Sequence, residues 1–249
     1  NLDEALLKKD IVFDIAVPPA ILIDIVKKLP QRSICQFQKP LGNSLEQARE
    51  IKRIVKEKEI IACVNLQLKF SPMMIALQDA INKNIIGDID ELEISLSVST
   101  PWHLWPFLET LDNVEVPLHS IHYIDWIRSI LGEPNSVHCK SAKHHKFPKL
   151  ANARSSIILD YGENIRCCLS LNHTYNNTSH GNKHSHAYAR VEGSNGAAYI
   201  KLGLLLDYPN GEAEEIEIST NGVLWTKVEN VGTWFPDAFI GTMSSLQRF

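Results

Sequence analysis

No Gly-x-Gly-x-x-Gly follows a strand-like run anywhere in the sequence. The loop that cradles a phosphate group at a helix N-terminus is therefore not among these residues. No apolar run is long enough to span a bilayer. No Lys/Arg-rich run stands out, and the net charge of −4 offers no basic footprint for nucleic acid. The 5 cysteines, Cys35, Cys63, Cys139, Cys167 and Cys168, include no Cys-x-x-Cys pair, and their number is odd. That fits reduced thiols in a cytoplasmic protein. Adjacent Cys167 and Cys168 would face opposite sides of a strand, which argues against a bond between them. The opening Asn-Leu-Asp-Glu-Ala-Leu-Leu has neither the basic flank nor the apolar core of a signal peptide. Internal repeats and low-complexity tracts are also lacking.

What is present is an ordinary globular balance, 44% hydrophobic and 22% charged over 249 residues. This is enough for one large domain or two modest ones. Both ends read as cut: the chain does not begin with Met, and it stops at Ser-Ser-Leu-Gln-Arg-Phe without a helix stop signal.

Residues 2–9 read as the end of a helix. The apolar run Ile11–Val17, bounded by Pro18-Pro19, suits a buried parallel strand. Residues 20–28 have helical spacing and a basic last turn, and Pro30 stops them. Strand 33–37 follows. Next comes a helix capped by Asn43 or Ser44, with Leu45, Ala48, Ile51, Ile54 and Val55 on one face, then strand 60–66. This β-α-β-α-β order predicts the second half of a Rossmann-like, doubly wound parallel sheet over residues 1–70. The pattern then changes. Helices are predicted at 71–83 and 117–131, and strands at 91–99, 136–143, 153–160, 164–172, 187–191, 196–202 and 214–219. Tight turns such as Glu-Gly-Ser-Asn-Gly separate the later strands. Residues 71–249 are thus expected to form an α+β domain with one large open, mostly antiparallel sheet.

Four stretches stand out: Ile-Ala-Val-Pro-Pro (15–19), Gln-Lys-Pro-Leu-Gly (38–42), Val-Asn-Leu-Gln-Leu-Lys-Phe-Ser-Pro (64–72) and His-Ser-Ile-His-Tyr-Ile-Asp-Trp-Ile-Arg (119–128). In order and spacing they resemble the glucose-fructose oxidoreductase / inositol dehydrogenase (Gfo/Idh/MocA) family, over nearly the whole chain and most clearly in residues 1–140. The resemblance implies an NAD- or NADP-dependent oxidoreductase acting on a secondary CH–OH group of a sugar, polyol or sugar derivative. It also implies about two βαβ units before Asn1, which would carry the phosphate-binding loop and the residue that separates NAD from NADP. The chain alone is then expected to bind neither cofactor tightly.

Lys39 lies at the ligand-binding end of a parallel strand, just before Pro40. By the resemblance it stands next to the nicotinamide and the reacting hydroxyl, where an ammonium stabilises developing negative charge. Its plain alternative is a solvated lysine in a turn. Gln38 replaces the family's usual glutamate and cannot pair with Lys39, which predicts a lower lysine pKa. Val17, Pro18, Pro19, Gln38 and Pro40 line the same cofactor-side edge. His119, His122 and Asp125 recur every three residues on one helical face. His122-x-x-Asp125 matches the family's His-x-x-Asp, which makes His122 the proton acceptor. The family often carries an aspartate four residues earlier, where Leu118 stands here, so His119 is a candidate to take over its support. The alternative is a helix with its polar face in solvent and Ile121, Ile124 and Ile127 inside.

Asn65, Gln67, Trp102, Trp105 and Asp125 are the candidate substrate contacts. The aromatic rings suit sugar C–H surfaces, or simple packing at a domain junction. His173 and Tyr175 end a sheet strand and carry little weight. His119-x-x-His122, and a loop group of His180, His184 and His186, could ligate a metal, but solvated histidines are the commoner outcome, and no metal is expected. A non-catalytic, sugar- or nucleotide-sensing relative of the same fold is the alternative function, kept open by Leu118 and Gln38. A histidine-based metal hydrolase is a third. The expected partners are a small sugar or polyol and further copies of the chain docked through the open sheet face.

Overall fold

The computed structural model describes residues 2–8, 10–175, 184–204, 212–229 and 231–248. The chain divides into two compact units, Asn1–Gln67 with Phe239–Phe249, and Leu68–Ala238.

In the first unit a short helix α1 (Leu2–Leu6) leads to β1 (Val12–Ile15), α2 (Pro19–Lys28), β2 (Ile34–Phe37), α3 (Leu45–Glu57) and β3 (Ile61–Val64). The strands form a parallel sheet in the order β1-β2-β3. Pro19 opens α2, where its missing N–H costs nothing, and Lys27 and Lys28 sit at the negative end of the helix dipole. Ser44 caps α3 by accepting from the Gln47 N–H at 3.3 Å, while Gln47 Oε1 accepts from the Asn43 N–H at 2.8 Å. This reciprocal arrangement satisfies backbone donors at the helix start. Leu22 and Val26 of α2 and Ile51 and Ile54 of α3 pack with Cys35 and Phe37 of β2. Each such buried side chain contributes roughly 1.5–3 kcal/mol. A final helix, α6 (Phe239–Leu246), belongs to this unit, an arrangement that linear reading of 71–249 as one domain does not contain.

The second unit carries an eight-stranded sheet in the order β11-β10-β9-β8-β4-β7-β6-β5. The strands are β4 (Ile89–Ser97), β5 (Ser136–Ala142), β6 (Arg154–Asp160), β7 (Arg166–Asn172), β8 (His186–Gly193), β9 (Gly196–Lys201), β10 (Glu215–Thr220) and β11 (Leu224–Val228). All pairings are antiparallel except β4 with β7. Helices α4 (Pro72–Asn82) and α5 (Ile121–Leu131) cover one face. There Met73, Met74, Leu77, Trp126 and Ile127 meet Leu92, Ile94, Leu169 and Ile200.

The other face is polar. One row across it reads His138, Ile158, Cys168, Glu93, Arg190, Tyr199, Glu217 and Lys227. Arg190 pairs with Glu93 at 2.9 Å and lies 3.5 Å from Glu91. The open face is therefore a charged one, with Ile158, the stacked Tyr188 and Tyr199, and Trp225 as apolar area. Cys167 is buried beneath the helices and Cys168 lies on the open face, and none of the five cysteines, all among the described residues, forms a disulfide. Among the described residues no helix is long and apolar enough to cross a membrane.

Candidate active site

The carboxyl ends of β1, β2 and β3 carry a polar network. Asp14 Oδ1 accepts from the amides of Gln36 and Gln38, each at 3.3 Å. Gln38 Oε1 accepts from Asn65 Nδ2 at 3.0 Å, and Asn65 Oδ1 accepts from the Thr242 hydroxyl of α6 at 2.9 Å. Asn65 is 1% exposed, so its amide serves this network, and Gln67 is buried beside it in sequence. Gln38, uncharged, is thereby fixed by neutral and acidic partners. Lys39 follows it through a cis Lys39–Pro40 peptide. The turn closes at Gly42, whose φ of 91° and the 2.8 Å from an added Cβ to Gln47 Cβ admit only glycine. Desolvation lowers the Lys39 ammonium to about 8. The direction is the one predicted, but the cause is burial and not the missing glutamate. Val17, Pro18 and Pro19 form the start of α2 at the same sheet edge, with Pro18 as its N-cap residue.

In the second unit the predicted helix 117–131 has two parts. Val116–Ser120 is a π-helical turn, and α5 begins only at Ile121. The π-turn closes bonds from residue i to i+5 and so moves residues off the expected α-helical face. Glu115 precedes it, fully buried, and accepts a three-centre bond from the Ser120 hydroxyl, 2.8 and 2.7 Å from its two carboxylate oxygens. Ser155 Oγ of β6 donates to its Oε2. His173, just past β7, holds Nε2 3.8 Å from Glu115 Oε1, and its Nδ1 lies 3.2 Å from Thr100 Oγ1. His119 stacks on His173 with ring centroids 3.7 Å apart and planes 18° from parallel. Trp102 meets both rings edge-on and donates from Nε1 to the His173 carbonyl at 3.1 Å.

Burial raises the Glu115 pKa against the lowering effect of its serine donors. It also raises that of Tyr123, to which the Glu115 charge adds. Two positive charges about 4 Å apart repel by ~4 kcal/mol at an effective dielectric of ~20. The stacked imidazoles therefore accept one proton much more readily than two.

The sequence-predicted residues separate into groups. His119 joins Trp102, His173 and Glu115. His122 lies half-buried on the first turn of α5. Asp125 forms an ion pair with Lys69 at 3.0 Å, so its carboxylate is engaged by a lysine of its own unit. Trp105 packs with Leu108, Leu118 and Leu150 in a small apolar cluster. Leu118 is thus a core residue, with no polar function in the vacated aspartate position. His186 bonds Ser95 at 3.0 Å and stacks on Tyr188 on the open sheet face. His180 lies outside the described residues. Sequence reasoning missed Glu115, Ser120 and Ser155 and gave His173 too little weight. A carboxylate four residues before His119 was the available signal.

No family model and no curated protein sequence matches the chain. Solved structures do. A levoglucosan dehydrogenase in complex with NADH and levoglucosan superposes with a TM-score of 0.73 at 15% identity, covering 94% of this chain and 69% of that one. The chain has the fold that the Gfo/Idh/MocA resemblance implied. An oxidoreductase from Agrobacterium radiobacter, in complex with NAD+, L-tartaric acid and magnesium, gives 0.69 at 18% identity over 94% of this chain and 66% of that one. UDP-N-acetylglucosamine 3-dehydrogenase from Acidithiobacillus ferrooxidans gives 0.72 at 13% identity, over 100% and 72%. The chain spans about two thirds to three quarters of these proteins' lengths.

Proposed function

We propose that the protein belongs to an NAD- or NADP-dependent oxidoreductase acting on a secondary hydroxyl of a sugar, polyol or sugar derivative. The observation that carries the reading is Lys39: a desolvated ammonium at the carboxyl edge of a parallel sheet, where ligands of such sheets bind. A nicotinamide ring fits the apolar Val17-Pro18-Pro19 segment that leads into α2 at that edge, and the Asp14–Gln38–Asn65 network fixes the lysine's turn. The cofactor, when bound, supplies or accepts the hydride.

In this reading Lys39 donates a hydrogen bond to the reacting oxygen and stabilises its charge. The histidines of the second unit receive the hydroxyl proton, His122 or His119 being the acceptor. Asn65 and Gln38 hold the lysine's turn. Trp102 supports the histidine pair, and Trp105, Gln67 and Asp125 border the substrate. The structural relatives solved with NADH or NAD+ and small hydroxylated ligands support this chemistry by analogy of fold. The reading includes self-association through the open sheet face.

Reduced-nicotinamide absorbance, followed in the full-length protein with NAD+ and NADP+ against a panel of polyols and sugars, tests the proposal. Alcohol-dependent reduction is expected, with kcat lower by roughly 100-fold or more in Lys39→Met, the scale of losing one oxyanion donor. No reduction with any combination, or full turnover in Lys39→Met, overturns it.

A further inference from the structure

We propose that Glu115 and His173 are positioning residues that hold His119 as the neutral, proton-accepting member of a stacked histidine pair. The proposal deepens the oxidoreductase reading above and rests on it for the identity of the proton donor. Its physical basis lies wholly within the second unit.

Three observations converge. First, Glu115 is buried with hydroxyls donating to both oxygens, Ser120 from the π-turn and Ser155 from β6. Hydroxyls pointed at both oxygens suit a carboxylate, and a buried carboxylate needs a cationic partner. Secondly, the ionisable side chain at 3.8 Å from it is His173, held in place by Thr100 at its other ring nitrogen and by the Trp102 indole on its carbonyl. Thirdly, His119 lies flat on His173 at 3.7 Å. A proton that enters the pair is drawn to His173 by Glu115 and then repels a second proton from His119. The pair therefore has an order: His173 is charged first, and His119 stays neutral and basic. Glu115 faces the pair, with Thr100, Ser120, Ser155 and Trp102 as neutral neighbours, and the buried Tyr123 feels the Glu115 charge. The π-turn is what makes this possible, because its i to i+5 closure brings Ser120 to Glu115 while leaving His119 on the His173 side.

This arrangement assigns a base to a chain in which Leu118 occupies the place of the aspartate that would support His122. Support arrives instead from a carboxylate seven residues before His122 and a histidine from another element.

The test is a histidine ring titration by NMR on the protein, with His119 and His173 assigned through His119→Gln and His173→Gln. In the unaltered protein His173 is expected to take up its proton at a higher pH than His119. Uptake by His119 first overturns the proposal. In Glu115→Gln the two midpoints are expected to move in opposite directions, His173 down and His119 up by about one unit. A merely structural role would move both midpoints in the same direction, or neither, and either result overturns the proposal. In the turnover assay the acidic limb of kcat moves to higher pH in Glu115→Gln, with little change in KM. An unmoved limb in an active enzyme counts against it. Lack of turnover in every form would sink the oxidoreductase reading and leave the titration to decide this one.

Discussion

At neutral pH the Lys39 side chain carries a charge that its surroundings disfavour. Its pKa is lowered from 10.5 to about 8 in the folded state, while the unfolded chain keeps the ordinary value. Between these values the unfolded chain binds more protons, so stability rises with pH across that window. Below about 8 the folded protein carries the whole cost of the desolvated ammonium. Lys39→Met is therefore expected to raise Tm at pH 7, with the gain shrinking as pH climbs from about 8 to 10.5. An equal or lower Tm at pH 7 would show that the lysine is solvated. A side chain that weakens the fold is retained for its chemistry, which is why the same variant is expected to lose turnover. Lys39 stood out in the sequence because it precedes a proline at the carboxyl end of an apolar strand, within Gln-Lys-Pro-Leu-Gly. His173 did not, because its partners Glu115, His119 and Thr100 are distant along the chain and only the sheet brings them together. Glu115 was hidden by its setting in Asp-Asn-Val-Glu-Val-Pro, which reads as a polar turn before a helix.

Among the elements, the apolar and amphipathic runs that cross the first unit were readable to within a few residues, since short buried strands and a capped helix leave strong periodic marks. The π-turn at 116–120 was not. An inserted residue changes the phase of a helix but leaves its composition unaltered, so His119 and Asp125 looked like members of one polar face when they have separate partners. Strand β11 also escaped, because Leu224–Val228 is an exposed edge strand with no buried alternate positions. The insertion of β4 between β7 and β8 has no local signature, since it depends on a parallel pairing across about 75 residues. The π-turn has a measurable energetic mark. The single Ser120 hydroxyl proton is shared between the two Glu115 oxygens in a site with no water-facing surface. Ser120→Ala should destabilise the protein by about 1–3 kcal/mol, the cost of leaving a buried acceptor short of a donor. Removing the exposed α3 cap with Ser44→Ala should cost nearer ~1 kcal/mol. Urea unfolding of the two variants compares them, and a smaller loss for Ser120→Ala would mean that the Glu115 carboxylate is protonated.

For the whole molecule, the open face of the eight-stranded sheet is the surface proposed for association. Its Glu91, Glu93, Arg166 and Arg190 ladder is largely self-neutralising, and Ile158 stands 56% exposed on the flank of the charged rows. A second copy docked there would bury Ile158 beside charges that already pair within the ladder. Light scattering at micromolar concentration is expected to give a dimer or larger species, and Ile158→Glu to give a monomer with unchanged circular dichroism. Monomer in both would remove the open face as an interface. The last helix has a consequence in time as well as in space. Asn65 meets Thr242 across 177 residues, so the first unit cannot acquire that bond until the second has been synthesised. At about 5–20 residues per second the delay is roughly 10–35 seconds. A nascent chain would finish its large sheet while the Lys39 edge still awaited α6. The part that is translated first is thus the last to be completed.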